Sequence, residues 1–386
     1  MRKINILNRK KIIIAISVSL CILALIILFL VYVFNGSFRS WIDINVLRKN
    51  ISEKDIQTIS LNTDKNNQIH VFNNYISILN DKTITLYNSY GEKITSIDIN
   101  INSALFDSSQ KYLVVAEDKG HEICLLLDKT YLWGEKLEGD ILQVHVNKNG
   151  YVAVITTDAT HKSILTFFDP EGKKLFTSYF ATTRIVDASI SNDNKYIAIG
   201  ELDTSGTIIK SNVKVLSVKN AQENPENTIE YTYEVDNGVL ITNVRYQTKN
   251  QIACIFDNGL GVIKDNTYKE VIKIENDNIT YIANDFNNNV AYVEEESTGL
   301  FKTQSNVHII NTSDFQEKIY KMEYAAKDIY AKDNIIAINI GTEIFFLDTN
   351  GWLKKKYTSN QEITNVKFSE SIATIIFKDK VIIVDL

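Results

Sequence analysis

The feature that most constrains this chain is a repeat. SISNDNKYIAIGEL, residues 189–202, is a polar turn on Asn192, Asp193 and Asn194 followed by an alternating strand with a small residue, Ala198, at its centre. The same turn and strand recur as FNNYISILN, SSQKYLVVA, NKNGYVAVI, TKNQIACIF, NNNVAYVEE, KDNIIAINI and SESIATIIF, making eight copies centred on residues 77, 114, 153, 198, 253, 291, 337 and 373. The intervals of 37, 39, 45, 55, 38, 46 and 36 residues average roughly 42, which is the length of one propeller blade. The alternatives are a β-sandwich or a solenoid, and a sandwich has no reason to keep that period eight times. The expected fold is all-β, an eight-bladed β-propeller, with seven blades as the alternative count.

After each small-centred strand comes an apolar one, often ending in Asp or Asn: TITLYN, EICLLLD, ILTFFD, VKVLSV, LGVIKD, VHIINT, EIFFLD and KVIIVD. Several continue through a Gly turn into a further strand, as in DPEGKKLFTSYF, where Gly supplies the positive φ. Each unit therefore holds four strands, a to d from the inside outward. Small residues on strand b let neighbouring sheets approach. The last unit supplies only a (363–368), b (372–377) and c (381–386), and residues 57–61, upstream of the first unit, form a spare alternating piece. Pairing the two closes the ring and leaves no open edge.

The N-terminus has a different character. Arg2, Lys3, Arg9, Lys10 and Lys11 precede a run without charge from Ile12 to Phe34, 23 residues. As a helix it is roughly 34 Å long, enough to cross a bilayer core of about 30 Å. A cleaved signal peptide has a shorter apolar region ending at small residues, whereas Tyr32, Val33 and Phe34 stand there. With only Arg39, Arg48 and Lys49 within reach downstream, the positive-inside rule places residues 1–11 in the cytosol and residues 56–386, the propeller, outside the cytoplasmic membrane. Residues 35–55 read either as a linker or as an interfacial helix with Phe38, Ile42 and Leu47 on one face and Trp41 at aromatic-belt height.

Two units are longer than the rest, both between strands b and c. One insertion is ELDTSGTIIKSN (201–212), the other EEESTGLFKTQSN (294–306). In a propeller the b–c and d–a loops share a face, so Asp203, Ser205, Glu294, Glu295, Leu300 and Phe301 are the candidate partner-binding residues.

The search for chemistry returns little. His70, His121, His145, His161 and His308 are scattered over four units with no metal-ligand spacing, and Glu294–Glu295–Glu296 has no calcium loop around it. There is no GxSxG elbow, and Gly259-Leu260-Gly261 lacks the third glycine of a dinucleotide loop. Three cysteines, one of them Cys21 in the apolar run, support no disulfide framework. The net charge of −6 and the lack of a basic block beyond the N-terminus exclude the footprint of a nucleic-acid binder. No catalytic residue, metal or cofactor is expected.

The runs NGSFRSWID, NKNGYVAVI and SISNDNKYIAIGELDTSGTIIKSNVKVLS resemble a family of single-pass, membrane-anchored propeller proteins of low-GC Gram-positive bacteria that carries only a domain-of-unknown-function label. The resemblance implies the same topology and fold and brings no catalytic residues. The leading expectation is an envelope scaffold that holds a protein partner on its b–c face and touches lipid only through its anchor. The alternative is an envelope enzyme or small-ligand sensor with its site in the central channel, built on polar a-strand residues such as Gln143 and His145.

Overall fold

The computed structural model describes residues 2–51, 56–225, 227–236, 238–274, 279–297 and 303–386. The chain divides into two compact units, Met1–Asn50 and Ile51–Leu386. In the first, helix α1 (Arg2–Phe34) contains an apolar stretch, Ile14–Phe34, of 21 residues with mean hydropathy 3.2, long enough to cross a membrane. Asn35 ends it and starts helix α2 (Gly36–Asn45), its side chain accepting the Phe38 N–H at 2.9 Å and so satisfying one of the free donors of the new helix. The turn is braced from α2 back to α1: the Tyr32 hydroxyl donates to the Asp43 carboxylate at 2.7 Å, and the Arg39 guanidinium donates to the Tyr32 and Val33 carbonyls. Residues 36–45 are thus a helix. Leu47 lies beyond its end, and Trp41 is 56% exposed beside Phe38.

The second unit is an eight-bladed β-propeller of eight four-stranded antiparallel sheets. Seven blades run a-b-c-d in chain order. The eighth takes Asn365–Phe368, Ile372–Ile376 and Lys380–Asp385 from the end of the chain and its outer strand, Gln57–Ser60, from the beginning. The closing register sets Gln57 against Ile383 and Ile59 against Val381, while the Leu61 N–H donates to the Asp379 carbonyl at 2.9 Å just past the strand. Closure therefore follows the expected pairing.

All eight b-strand centres, Ser77, Val114, Ala153, Ala198, Ala253, Ala291, Ala337 and Ala373, are fully buried. Each core cluster combines residues of adjacent blades, as where Ala198, Val213 and Val215 of blade 4 meet Val244, Ile252 and Ile263 of blade 5. The polar residue ending strand c has its own task. The Asp169 carboxylate accepts the Glu171 and Lys173 N–H groups and the Asp348 carboxylate those of Asn350 and Trp352, folding turns in which Gly172 and Gly351 take φ of +83° and +71°.

Blade 4 departs from the repeat in two places. Its b–c insertion is a hairpin extending strands Tyr196–Asp203 and Lys210–Ser217, paired as far as Asp203 opposite Lys210. Its c–d connection contains a short helix, α3 (Val218–Glu223), which buries Val218 and Ala221 against blade 3.

Candidate functional site

The innermost strands are Gln68–Phe72, Ala104–Ser109, Asp140–Val146, Thr183–Ile190, Ile241–Thr248, Ile279–Phe286, Asp328–Lys332 and Asn365–Phe368. From blade 8 through blade 1 to blade 7 they pack side by side around the axis. Each has a strand partner on its outer side only, so the N–H groups facing the axis need other acceptors. Side chains of the preceding blade supply them. The Asp107 carboxylate accepts the Val146 N–H at 2.7 Å, Asp187 accepts that of Val244 at 2.8 Å, and the Ser189 hydroxyl accepts that of Tyr246 at 2.9 Å. In the other direction Gln143 donates its amide to the Val186 carbonyl at 2.5 Å. Register shifts ahead of Gln143, Asp187 and Asn243 mark bulges that re-aim these polar residues.

Of the two channel residues named from the sequence, Gln143 is thus committed to the backbone of blade 4. His145 meets the Asp187 carboxylate, with Nε2 at 3.5 Å from Oδ1. Burial pushes the Asp187 carboxyl up, against the pull of His145 and of the Val244 N–H.

A second polar group fills the arc of blades 7, 8, 1 and 2, and no motif in the sequence points to it. The Lys332 ammonium reaches across two intervening blades to donate to the Ser108 hydroxyl at 2.7 Å and the Ser108 carbonyl at 3.1 Å. His70 Nε2 lies 2.9 Å from the same hydroxyl, its ring stacked on Phe106 with centroids 5.4 Å apart. Lys367, on the innermost strand of blade 8, lies near enough for its charge to act on His70. Burial first, then the fields of Lys332 and Lys367, holds the His70 imidazole well below its usual range. Burial and Lys332 likewise lower Lys367. The a–b mouth of the channel opens into a cavity of about 180 Å³ whose walls include Ser109, Lys148, Asn192, Arg245, Asp333 and Glu370. A larger cavity, about 360 Å³, lies off the axis between blades 4 and 5 among Tyr196, Tyr231 and Tyr246.

The b–c face carries the other candidates. Asp203 closes the blade 4 hairpin by accepting the Ser205 N–H at 2.9 Å and hydroxyl at 2.6 Å, which lowers its carboxyl pKa. The hairpin rests on a charged base: Glu201, fully buried, pairs with Lys214 and accepts the Thr183 hydroxyl at 3.1 Å and the Asn212 amide at 3.3 Å. Lys162 of blade 3 ties in from the side, donating to the Thr204 hydroxyl at 2.8 Å. Residues 204–210 are all exposed, and among them Ile208 and Ile209 show 55% and 41% of their surface. Two adjacent isoleucines within a polar insertion are the signal in the sequence that marks this tip.

In blade 6 the hairpin pairs Glu294 with Asn306 and Ser297 with Thr303; Leu300 and Phe301 lie outside the described residues. Glu294 is not a free loop carboxylate. It sits 3.2 Å from His308 Nε2, while Glu317 holds Nδ1 at 2.8 Å and Tyr292 stacks on the ring with centroids 4.4 Å apart. Glu295, half-buried, faces Ser305 across the hairpin. Among the described residues no cluster of three His, Cys, Asp or Glu side chains forms a metal site.

Solved structures match the fold over most of the chain. BamB from Moraxella catarrhalis shares 12% identity, with a TM-score of 0.53 over 87% of this chain and 99% of that one. Sqt1 from Chaetomium thermophilum shares 11%, with a TM-score of 0.53 over 83% of this chain and 95% of that one. At such identities the likeness is one of architecture. No curated protein matches the sequence. Residues 47–386, the whole propeller with the segment leading into it, match the model of the family of unknown function DUF5711, and the chain belongs to that family.

Proposed function

We propose that this protein is a membrane-tethered, non-catalytic scaffold that holds a protein partner on the b–c face of its propeller. The observation that carries this reading is the blade 4 hairpin. Its base is fixed by the Glu201–Lys214 pair and its flank by Lys162, yet its tip offers Ile208 and Ile209 to solvent. Apolar side chains on a braced, projecting hairpin cost solubility and add nothing to the core, which is the pattern of a contact surface. Such loops on a rigid ring are where binding is added to a repeat fold. In this reading α1 is an uncleaved anchor with the basic residues 2–11 in the cytosol and the propeller outside.

The test is a photocrosslinking pull-down from cells with the reactive group at Ser205, in the parent and in the Ile208→Ser/Ile209→Ser double variant. One dominant crosslinked partner, lost in the double variant at unchanged melting temperature, is the expected outcome. Equal recovery from both chains removes the hairpin from the interface. Topology is read separately. With Cys21, Cys124 and Cys254 replaced and a single cysteine at position 205, an impermeant maleimide should label intact cells, and labelling only after lysis overturns the orientation.

A further inference from the structure

The axial channel contains a concentration of cationic groups whose charge the described residues do not neutralise. Lys332 spends its hydrogen bonds on a neutral hydroxyl and a carbonyl of Ser108. Lys367, half-buried on the next innermost strand, accepts the Thr374 hydroxyl at its carbonyl, but its ammonium makes no hydrogen bond or ion pair among the described residues. Two carboxylates near this arc are engaged elsewhere. Asp107 accepts the Ser108 and Val146 N–H groups, and Asp328 accepts the Ile329 N–H. Asp328 is near enough to favour the charged form of Lys367 but does not pair with it. A half-buried ammonium without a counter-ion is costly, and bringing two together adds their repulsion. The arrangement lowers its energy when an anion enters.

We propose that the channel binds a small oxyanion, a phosphate or carboxylate group, between the Lys332 and Lys367 ammonium groups, with Ser108 and His70 as neighbouring hydrogen-bond donors. The geometry supplies each requirement. Blades 7, 8, 1 and 2 are consecutive around the ring, so their four side chains converge on one arc. Ser108 and Lys332 immediately precede Ser109 and Asp333, which line the cavity of about 180 Å³ at the a–b mouth and give the anion its way in. That space accommodates a small molecule or a single charged group and excludes a folded partner. Two ammonium groups and a hydroxyl match the several acceptor lone pairs of an oxyanion. His70 can join as a donor through the proton that its environment now disfavours, so the anion and that proton assist each other. The site lies inside the ring, away from the b–c hairpins, and stands whether or not those hairpins hold a partner.

Isothermal titration of the full chain in detergent micelles, with sodium phosphate and sodium acetate as separate probes and ionic strength fixed by chloride, tests the proposal. Saturable binding of at least one probe is expected, and the two arms show whether phosphate or carboxylate is preferred. Lys367→Met should weaken it about tenfold or more, because a charge-assisted contact is lost, while Lys219→Met on the exposed face of α3 should leave it unchanged. Lys332→Met should act like Lys367→Met; if it fails to fold, Lys367→Met still decides, since it leaves the Lys332–Ser108 bonds in place. Failure of both probes to bind the parent, or binding undiminished in Lys367→Met, overturns the proposal.

Discussion

Ile59→Ala tests the closure of the ring at a single side chain. Ile59 is 6% exposed and packs with Val71, Ile76 and Ile78 of blade 1 and Ile372, Val381 and Ile383 of blade 8, so it sits at the seam between the first and last blades. Alanine removes three carbons. At about 0.8 kcal/mol per buried methylene the transfer loss is about 2.4 kcal/mol, and the cavity left against a rigid seam raises it to about 3 kcal/mol. Urea unfolding followed by far-UV circular dichroism reads the change as a lower midpoint at constant slope. Thr58→Ala, an exposed neighbour on the same strand, is the control and should stay within about 0.5 kcal/mol of the parent. If the strand merely rests on the ring, Ile59→Ala will match that control, and the seam will have to be placed elsewhere. Deleting residues 57–60 should go further and aggregate, because the Lys380–Asp385 strand then presents an open edge.

Two further predictions concern buried charge. Glu201→Ala leaves Lys214 beside an emptied pocket and should cost about 3 kcal/mol in the same assay, the low end of the range for breaking a buried pair because Lys214 keeps some solvent; a loss under 1 kcal/mol would mean that the pair does not brace the hairpin. His70 is held neutral in the folded chain, whereas unfolded it takes up a proton below about pH 6.5, so its share of stability is complete above that pH and falls away as the solution is acidified. Between pH 6.5 and 5 the parent should therefore lose stability more steeply than His70→Gln, by up to about 1.4 kcal/mol per pH unit. Parallel curves for the two proteins would contradict a neutral His70.

Local chemistry explains what could be read directly. An alternating strand centred on Ala198, repeated with the same spacing, fixes which face is buried and how closely the next sheet approaches. Asp169 and Asp348 each bond to N–H groups within four residues, so the c–d turns are written in adjacent letters. Even the closing strand could be found, because an eighth unit short of one strand and an unassigned strand at the other end leave one pairing.

The sequence by itself determined these things because they depend on neighbours along the chain: the period, the turns and the apolar run of α1; the count of eight blades rather than seven came from the closed ring. The tertiary structure alone decided the polar sites. Lys332 and Ser108 are 224 residues apart, and only the ring brings them within 2.7 Å. Glu201 reads as the start of an exposed insertion until Lys214, Thr183 and Asn212 close around it. His308, an isolated histidine in the sequence, lies between Glu294 and Glu317 because strands b, c and d of blade 6 set all three side chains on one side of the sheet. A propeller leaves the inward strand of every blade without a partner toward the axis, and the residues that meet there come from units about 40 positions apart, a separation over which no sequence motif extends.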